Sequence, residues 1–335
     1  GNVVLQFYLT AADRFSHEDA EEVERQVAAV TQTWHEQVVK LLRSSSADGP
    51  EIISRYLDLL PEEYQHQVDP AEAVDDLRAL ERVRETGTLL AEFAVRADDV
   101  VSGVSRLKIY QREKIDLTAS TPVLGNFGLR VIDQTSVTIT SAEGQAYYVD
   151  SFRVVPADRS IDLTEHQSRL VEGLTAVLKA RAEDDGLNCL LISAGLGWHE
   201  VDVLRAYISY RRQLGSSVDI RTTYKTWTSH PTAARLLLGL FRARFNPALG
   251  PPNDRARTRL VQRNRDAFNE YLATVQTSSE DRILRRPLNL LLATLRTNFF
   301  STAMRDDTPV AFKIDCAEVD EMVEPRPYRE IFLFH

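Results

Sequence analysis

The apolar spacing of the chain changes twice, and those changes bound what it can fold into. Up to Gly87, apolar residues recur at threes and fours, the spacing of helices with one buried face. Val23, Val27, Val30, Trp34, Val38 and Leu41 form one such stripe and predict a helix over residues 16–43. Ser16 with Asp19 three residues on resembles a capping box at its start. Ser44-Ser45-Ser46-Ala47-Asp48-Gly49-Pro50 breaks it. A second helical piece carries Ile52, Ile53, Tyr56, Leu57 and Leu60, and Pro61 ends or restarts it. Asp69-Pro70 opens a third, with Val74, Leu77 and Leu80 inward.

After Gly87 the period drops to two. Leu89–Val95 and Arg106–Gln111 read as strands, and a short helix over Leu117–Phe127 is closed by Gly128. Leu129–Thr140 and Gln145–Val155 make a hairpin about Glu143-Gly144. A helix with Leu170, Leu174, Val177 and Leu178 follows Thr164. The order β, α, β, β, α from Arg106 is a ferredoxin-like unit without its last strand, and the strand at Leu89 is available for the vacant edge.

From Gly186 the period returns to helical. Leu190, Leu191 and Ile192 are expected to be buried. Val201, Leu204 and Ile208 mark one helix, and Ser229 is expected to cap another carrying Ala233, Leu236, Leu237, Leu240 and Phe241. Leu260, Phe268, Tyr271, Leu272 and Val275 mark the next, and Leu284, Leu288, Leu291, Leu295 and Phe299 the last. Val310–Ile314 and the final residues suggest a sheet. The fold class is α+β and multi-domain, as the length also implies.

Hydrophobic content of 43% and charged content of 27% are ordinary for a soluble globular protein. No apolar run is long enough to span a bilayer. Cys189 and Cys316 lie outside any CxxC, which argues against a disulfide framework or zinc ribbon and for a reducing, cytoplasmic setting. The net charge is −9, with acid concentrated in the first 85 residues and base between Arg221 and Arg296. Arg255, Arg257, Arg259, Arg263 and Arg265 lack interleaved aromatics, so a solvated helix face fits them better than a nucleic-acid surface.

Motifs that carry chemistry are scarce. Gly195-Leu196-Gly197-Trp198-His199-Glu200 has Glu where a dinucleotide-binding loop needs a small residue, so it reads as a helix end and loop. There is no phosphate loop, nucleophile elbow or HExxH. No two histidines are three or four apart, so no metal pair sits on a helix face. His199 beside Glu200 permits acid–base chemistry, but a helix start beside Trp198 accounts for both. Cys189 reads as a core residue, and Asp184-Asp185-Gly186-Leu187-Asn188 as a turn rather than a calcium loop.

Both ends look like severed strands. Val3–Leu9 follows a bare Gly1, and Ile331-Phe332-Leu333-Phe334-His335 has nothing after it to pair with, so a piece of a longer protein is expected. Several stretches together carry a family resemblance. Glu280-Asp281-Arg282-Ile283-Leu284-Arg285-Arg286, Leu288-Asn289-Leu290 and Ala293-Thr294-Leu295-Arg296-Thr297-Asn298-Phe299-Phe300 resemble the helix preceding the catalytic core of large bacterial NAD-specific glutamate dehydrogenases. Glu183-Asp184-Asp185-Gly186-Leu187-Asn188, Ala194-Gly195-Leu196, Glu200–Tyr207 and Phe241–Pro247 are similar to that family too, as is Pro325–Phe332 at its catalytic-domain boundary. Pro287 departs from the pattern, and a kink or break near Arg286 is expected there.

The resemblance implies a non-catalytic regulatory or assembly region of an enzyme that oxidatively deaminates L-glutamate to 2-oxoglutarate and ammonia with NAD. It implies the end of one ACT-like module and a helical segment over 1–87, an ACT-like module over 88–185, a helical region over 186–308, and the start of the catalytic domain over 309–335. The catalytic lysine and dinucleotide glycines are expected beyond His335, so no catalytic, cofactor or metal residue is assigned. An amino-acid effector is expected near the first strand–helix loop, at Gln111, Asp116, Asn126 and Phe127. Expected partners are the remaining domains of the polypeptide, further copies in a homo-oligomer, and an amino-acid effector or regulatory protein, with no nucleic acid and no membrane. The alternative is a spacer or oligomerisation scaffold without ligand sensing.

Overall fold

The computed structural model describes residues 32–45, 48–94, 96–114, 117–304, 308–320 and 324–335, with isolated positions 21, 23, 24, 27 and 322. The predicted strand over Val3–Leu9, the Ser16–Asp19 cap and Asp116 lie outside the described residues. The chain divides into two compact units, Gly1–Thr88 with Val137–Tyr148, and Leu89–Ser136 with Val149–His335.

In the first unit, α1 (Trp34–Ser45), α2 (Gly49–Tyr56), α3 (Glu62–Gln67) and α4 (Pro70–Thr86) follow the predicted breaks closely. The buried stripe of α1 runs through Val38 and Leu42; Leu41, expected inside, is 37% exposed. A one-residue step turns a side chain by about 100° on a helix, which separates the two leucines. Gly49 lies against the end of α1, where an added Cβ would sit 2.3 Å from the Leu42 carbonyl oxygen. Tyr64 donates its hydroxyl to Asp76 at 2.6 Å, and Arg55 donates to Glu81 at 2.8 Å and to Glu143 at 2.9 Å.

The second unit opens with β1 (Leu90–Ala94), α5 (Ala97–Val101), β2 (Ser105–Gln111), α6 (Leu117–Asn126), β3 (Leu129–Thr140), β4 (Ala146–Pro156) and α7 (Gln167–Leu178). The outer part of the β3–β4 hairpin, Val137–Tyr148, is counted with the first unit. The sheet order is β1-β2-β4-β3, with β1 antiparallel to β2 and Ala91 opposite Ile109. A strand that precedes the unit in sequence thus takes the edge that the last strand of a ferredoxin-like fold occupies. Alternation along β2 sends Leu107 and Ile109 into a core with Phe152, Val154, Phe127 and Leu170. It sends Arg106 to the other face, where Asp99 of α5 accepts from Arg106 at 2.7 Å and from Arg153 of β4 at 2.9 Å. Gly128 follows α6 with φ +75°, the left-handed geometry that closes a helix.

The rest of the unit is mostly helical: α8 (Leu190–Ser193), α9 (Trp198–Gln213), α10 (Ile220–Ser229), α11 (Pro231–Phe245), α12 (Arg255–Leu272) and α13 (Ser278–Ala293). Helix α9 is the centre of this packing and buries Val201, Leu204, Tyr207 and Ile208 among others. Helix α10 escapes the periodicity reading because its face is short; Asp219 caps it by accepting from the Thr222 N–H at 3.2 Å. Ser229, expected as the cap of α11, instead closes α10, and His230 holds the N-cap position ahead of Pro231.

The last helix was expected to reach Phe299, but α13 ends at Ala293 and the chain continues as β5 (Thr294–Thr297). Arg244 of α11 explains the stop: it donates to the carbonyls of Leu292 at 2.9 Å and Thr294 at 3.0 Å, which are then engaged outside the helix ladder. Pro287 lies inside α13 without the predicted break at Arg286. Strands β5, β6 (Val310–Ile314) and β7 (Glu330–Phe334) form the second sheet in that order. The terminal strand expected to lack a partner pairs backwards with β6, Phe332 opposite Phe312.

Candidate functional site

Of the effector residues expected from the sequence, Gln111 lies at the end of β2, and Asn126 and Phe127 directly precede β3 at the opposite end of the sheet, where the Ala157 N–H donates to the Gly128 carbonyl. Gln111 is the last residue of β2 and donates its side-chain amide to Asp150 of β4 at 2.9 Å; Asp150 also accepts from Ser136 of β3. This polar row closes the end of the apolar sheet face. Asn126, the last residue of α6, donates to Asp184 at 2.9 Å. Phe127 is buried in the core. The structure therefore brings Gln111 to the sheet end and ties Asn126 to the loop after α7. The polar groups of both already hold partners within the chain.

That loop leads into a buried ion cluster which the periodicity does not reveal. Arg205 of α9 is 1% exposed and donates to Asp185 at 2.8 and 2.9 Å, to Asp202 at 2.5 Å and to Asn188 at 2.7 Å. The Asp185 carboxylate also accepts from the Leu187 N–H at 2.9 Å, so the acidic turn is folded on an arginine, as turn chemistry rather than calcium chemistry requires. Burial pushes the Asp202 carboxyl up to about 6, aided by the neighbouring Asp185 and Glu183 charges and opposed by Arg205. The one sequence signal for this cluster is the i, i+3 spacing of Asp202 and Arg205.

Glu200 accepts from the Gly197 N–H at 3.1 Å and from the fork of Arg242, one arm at 2.7 Å. It is a helix-start residue clamped to α11. His199 stacks on Trp198, ring centroids 3.5 Å apart. Both line a cleft of ≈ 480 Å³ together with Asp184, Asp202, Val310 and Phe334. Arg257, within the basic stretch, is buried and donates to the carbonyls of Ala243 and Arg244. Burial holds the half-buried Cys189 thiol up at about 11, far from a reactive thiolate. Among the described residues no cluster of His, Cys, Asp and Glu is arranged to hold a metal ion, and no helix is long and apolar enough to cross a membrane.

Four family models match in succession. Residues 43–83 match glutamate dehydrogenase helical motif 2, 93–166 its ACT3 domain, 182–247 its helical motif 3, and 267–335 the catalytic domain of bacterial NAD-glutamate dehydrogenase. The chain is 29% identical over 325 residues to the NAD-specific glutamate dehydrogenase of Halomonas elongata, covering 94% of this chain and 20% of that protein. It is 28% identical to the NAD-specific glutamate dehydrogenases of Mycobacterium tuberculosis and Pseudomonas aeruginosa, covering 90% and 94% of this chain. The chain spans about a fifth of the length of these curated relatives. Helical motif, ACT-type sheet, helical motif and catalytic-domain segment follow one another in an order that no single short match would establish, and in that order the chain is similar to the large bacterial NAD-specific glutamate dehydrogenases.

Proposed function

We propose that these residues form a regulatory and assembly region of a larger enzyme that oxidatively deaminates L-glutamate to 2-oxoglutarate and ammonia, with NAD as its cofactor and the cytoplasm as its setting. The observation that carries this reading is the ACT-type sheet order β1-β2-β4-β3 lying between segments matched to helical motifs. An amino-acid effector, for which the sequence offers Gln111, Asp116, Asn126 and Phe127 as contacts, acts by binding one conformation of the enzyme more tightly than another. Its partners are the remaining domains of the same polypeptide and further copies in a homo-oligomer. The domain limits proposed are 1–87, 88–185, 186–308 and 309–335.

A second reading, a scaffold without ligand sensing, is favoured by one observation: Gln111 and Asn126 already hold Asp150 and Asp184, which an effector has to displace. Titration calorimetry of the chain with the twenty common amino acids separates the two. Heat from one of them, lost in a Gln111→Ala variant that remains folded, supports sensing. Silence from all twenty, with assembly seen by light scattering, supports the scaffold and removes the sensing site.

A further inference from the structure

Helix α12 carries its charges in an order that its own backbone opposes. Its inner side is fixed in place: Arg257 donates to the carbonyls of Ala243 and Arg244, and Phe268 and Leu272 are buried. Asn264 lies so close to α11 that a Cβ on Gly239 would sit 2.9 Å from its side-chain oxygen. The outer side is exposed and carries Arg255, Arg259, Asp266 and Glu270. At about 100° per residue these four fall within roughly 60° of the circumference, one narrow stripe. Gln262 and Arg263, both exposed, flank its middle.

Along that stripe the basic residues come first and the acidic residues last. A helix favours the reverse, because its N-terminal end carries partial positive charge and its C-terminal end partial negative charge. Arg255 is the first residue of α12, and Glu270 falls in its last turn. Arg255 with Arg259, and Asp266 with Glu270, are also like charges four residues apart, a spacing that sets them side by side and makes them repel. Within one chain the stripe is therefore unfavourable at both ends. Turned end for end, it is its own complement. Arg255 and Glu270 lie equally far from the midpoint between Gln262 and Arg263, and so do Arg259 and Asp266. The arginines are about 6 Å apart along the axis, and the acids are too. An antiparallel copy of α12 thus sets acid opposite arginine at both ends and opposes the two helix dipoles.

We propose that this face of α12 is a contact between two copies of the chain, docked antiparallel across a two-fold axis, with Arg255 on the partner's Glu270 and Arg259 on the partner's Asp266. Each pair then occurs twice, as an isologous contact requires. The contact rests on the homo-oligomer reading above and names the surface that serves it. The stripe has no large apolar side chain, so the contact is weak and salt-sensitive by itself. It gains strength wherever other contacts already hold two copies together.

Sedimentation velocity of the 335-residue chain tests it. A concentration-dependent dimer is expected at low ionic strength, dissociating as sodium chloride is added. Charge-reversed chains decide whether α12 makes the contact. Arg255→Glu with Arg259→Glu makes all four positions acidic, and Asp266→Arg with Glu270→Arg makes all four basic. Each of these chains alone is expected to dimerise about tenfold more weakly than the parent, or worse, while an equimolar mixture of the two regains the parent's affinity. A chain carrying all four reversals is self-complementary again and is expected to dimerise like the parent. Dimerisation that the all-acidic and all-basic chains retain unchanged overturns the α12 contact and leaves the homo-oligomer reading standing, as does a mixture of the two that stays dissociated. A parent chain that stays monomeric at low ionic strength overturns the contact and the assembly role of this region together.

Discussion

Arg205 shows how one side chain can hold a junction together. It is buried, and its guanidinium satisfies Asp185, Asp202 and Asn188 at once. Arg205→Leu strands two carboxylates in the interior, and the expected loss is about 3–5 kcal/mol, read from urea unfolding. The pH response follows from Asp202. Its folded-state value is raised from 3.8 to about 6, so the folded chain holds that proton more tightly than the unfolded chain. The stabilisation it confers is full below 3.8 and is lost as pH rises through about 6. Asp202→Asn is therefore expected to flatten the stability profile between pH ~4 and ~6. Equal slopes for variant and parent across that window would falsify this assignment. Little of the cluster is legible along the chain, because Asp185 and Arg205 meet only after the turn and α9 have packed.

Among the elements, those with clean spacing were the readable ones. Helix α4 begins at Pro70 after Asp69 as its dipeptide predicts, and the β3–β4 hairpin turns at Glu143-Gly144. Elements set by distant groups were not readable. Helix α13 stops at Ala293 because Arg244, far away in sequence, takes the carbonyls of Leu292 and Thr294. Leu295, which fits the helical stripe, ends in a strand and is 43% exposed. Pro287 inside α13 lacks the N–H that the helix ladder uses there. Pro287→Ala restores it, and a gain of about 1–2 kcal/mol is expected, since part of proline's ~3 kcal/mol penalty is offset by lost buried contacts. An unchanged or lower unfolding midpoint in urea rejects that account.

For the molecule as a whole, the chain passes between its two units after Thr88, after Ser136 and after Tyr148. The outer hairpin belongs to the first unit: Ile139 and Tyr147 are buried there, Tyr147 edge-on to Tyr56 at 6.0 Å, and the Ala142 N–H donates to the Arg55 carbonyl at 2.8 Å. Removing residues 1–88 is expected to uncover Ile139 and Tyr147 and cause association in light scattering. Removing 1–88 and also replacing 137–148 by a two-residue turn is expected to give a monodisperse chain. Equal behaviour of the two truncations contradicts this division. The amino-acid order alone determined most of the helices and the β, α, β, β, α run, because periodicity and local turn chemistry act over a few residues. Where α13 ends and which carboxylates share Arg205 were decided only by the tertiary structure. Those outcomes depend on burial and charge between groups that the chain keeps far apart until it folds.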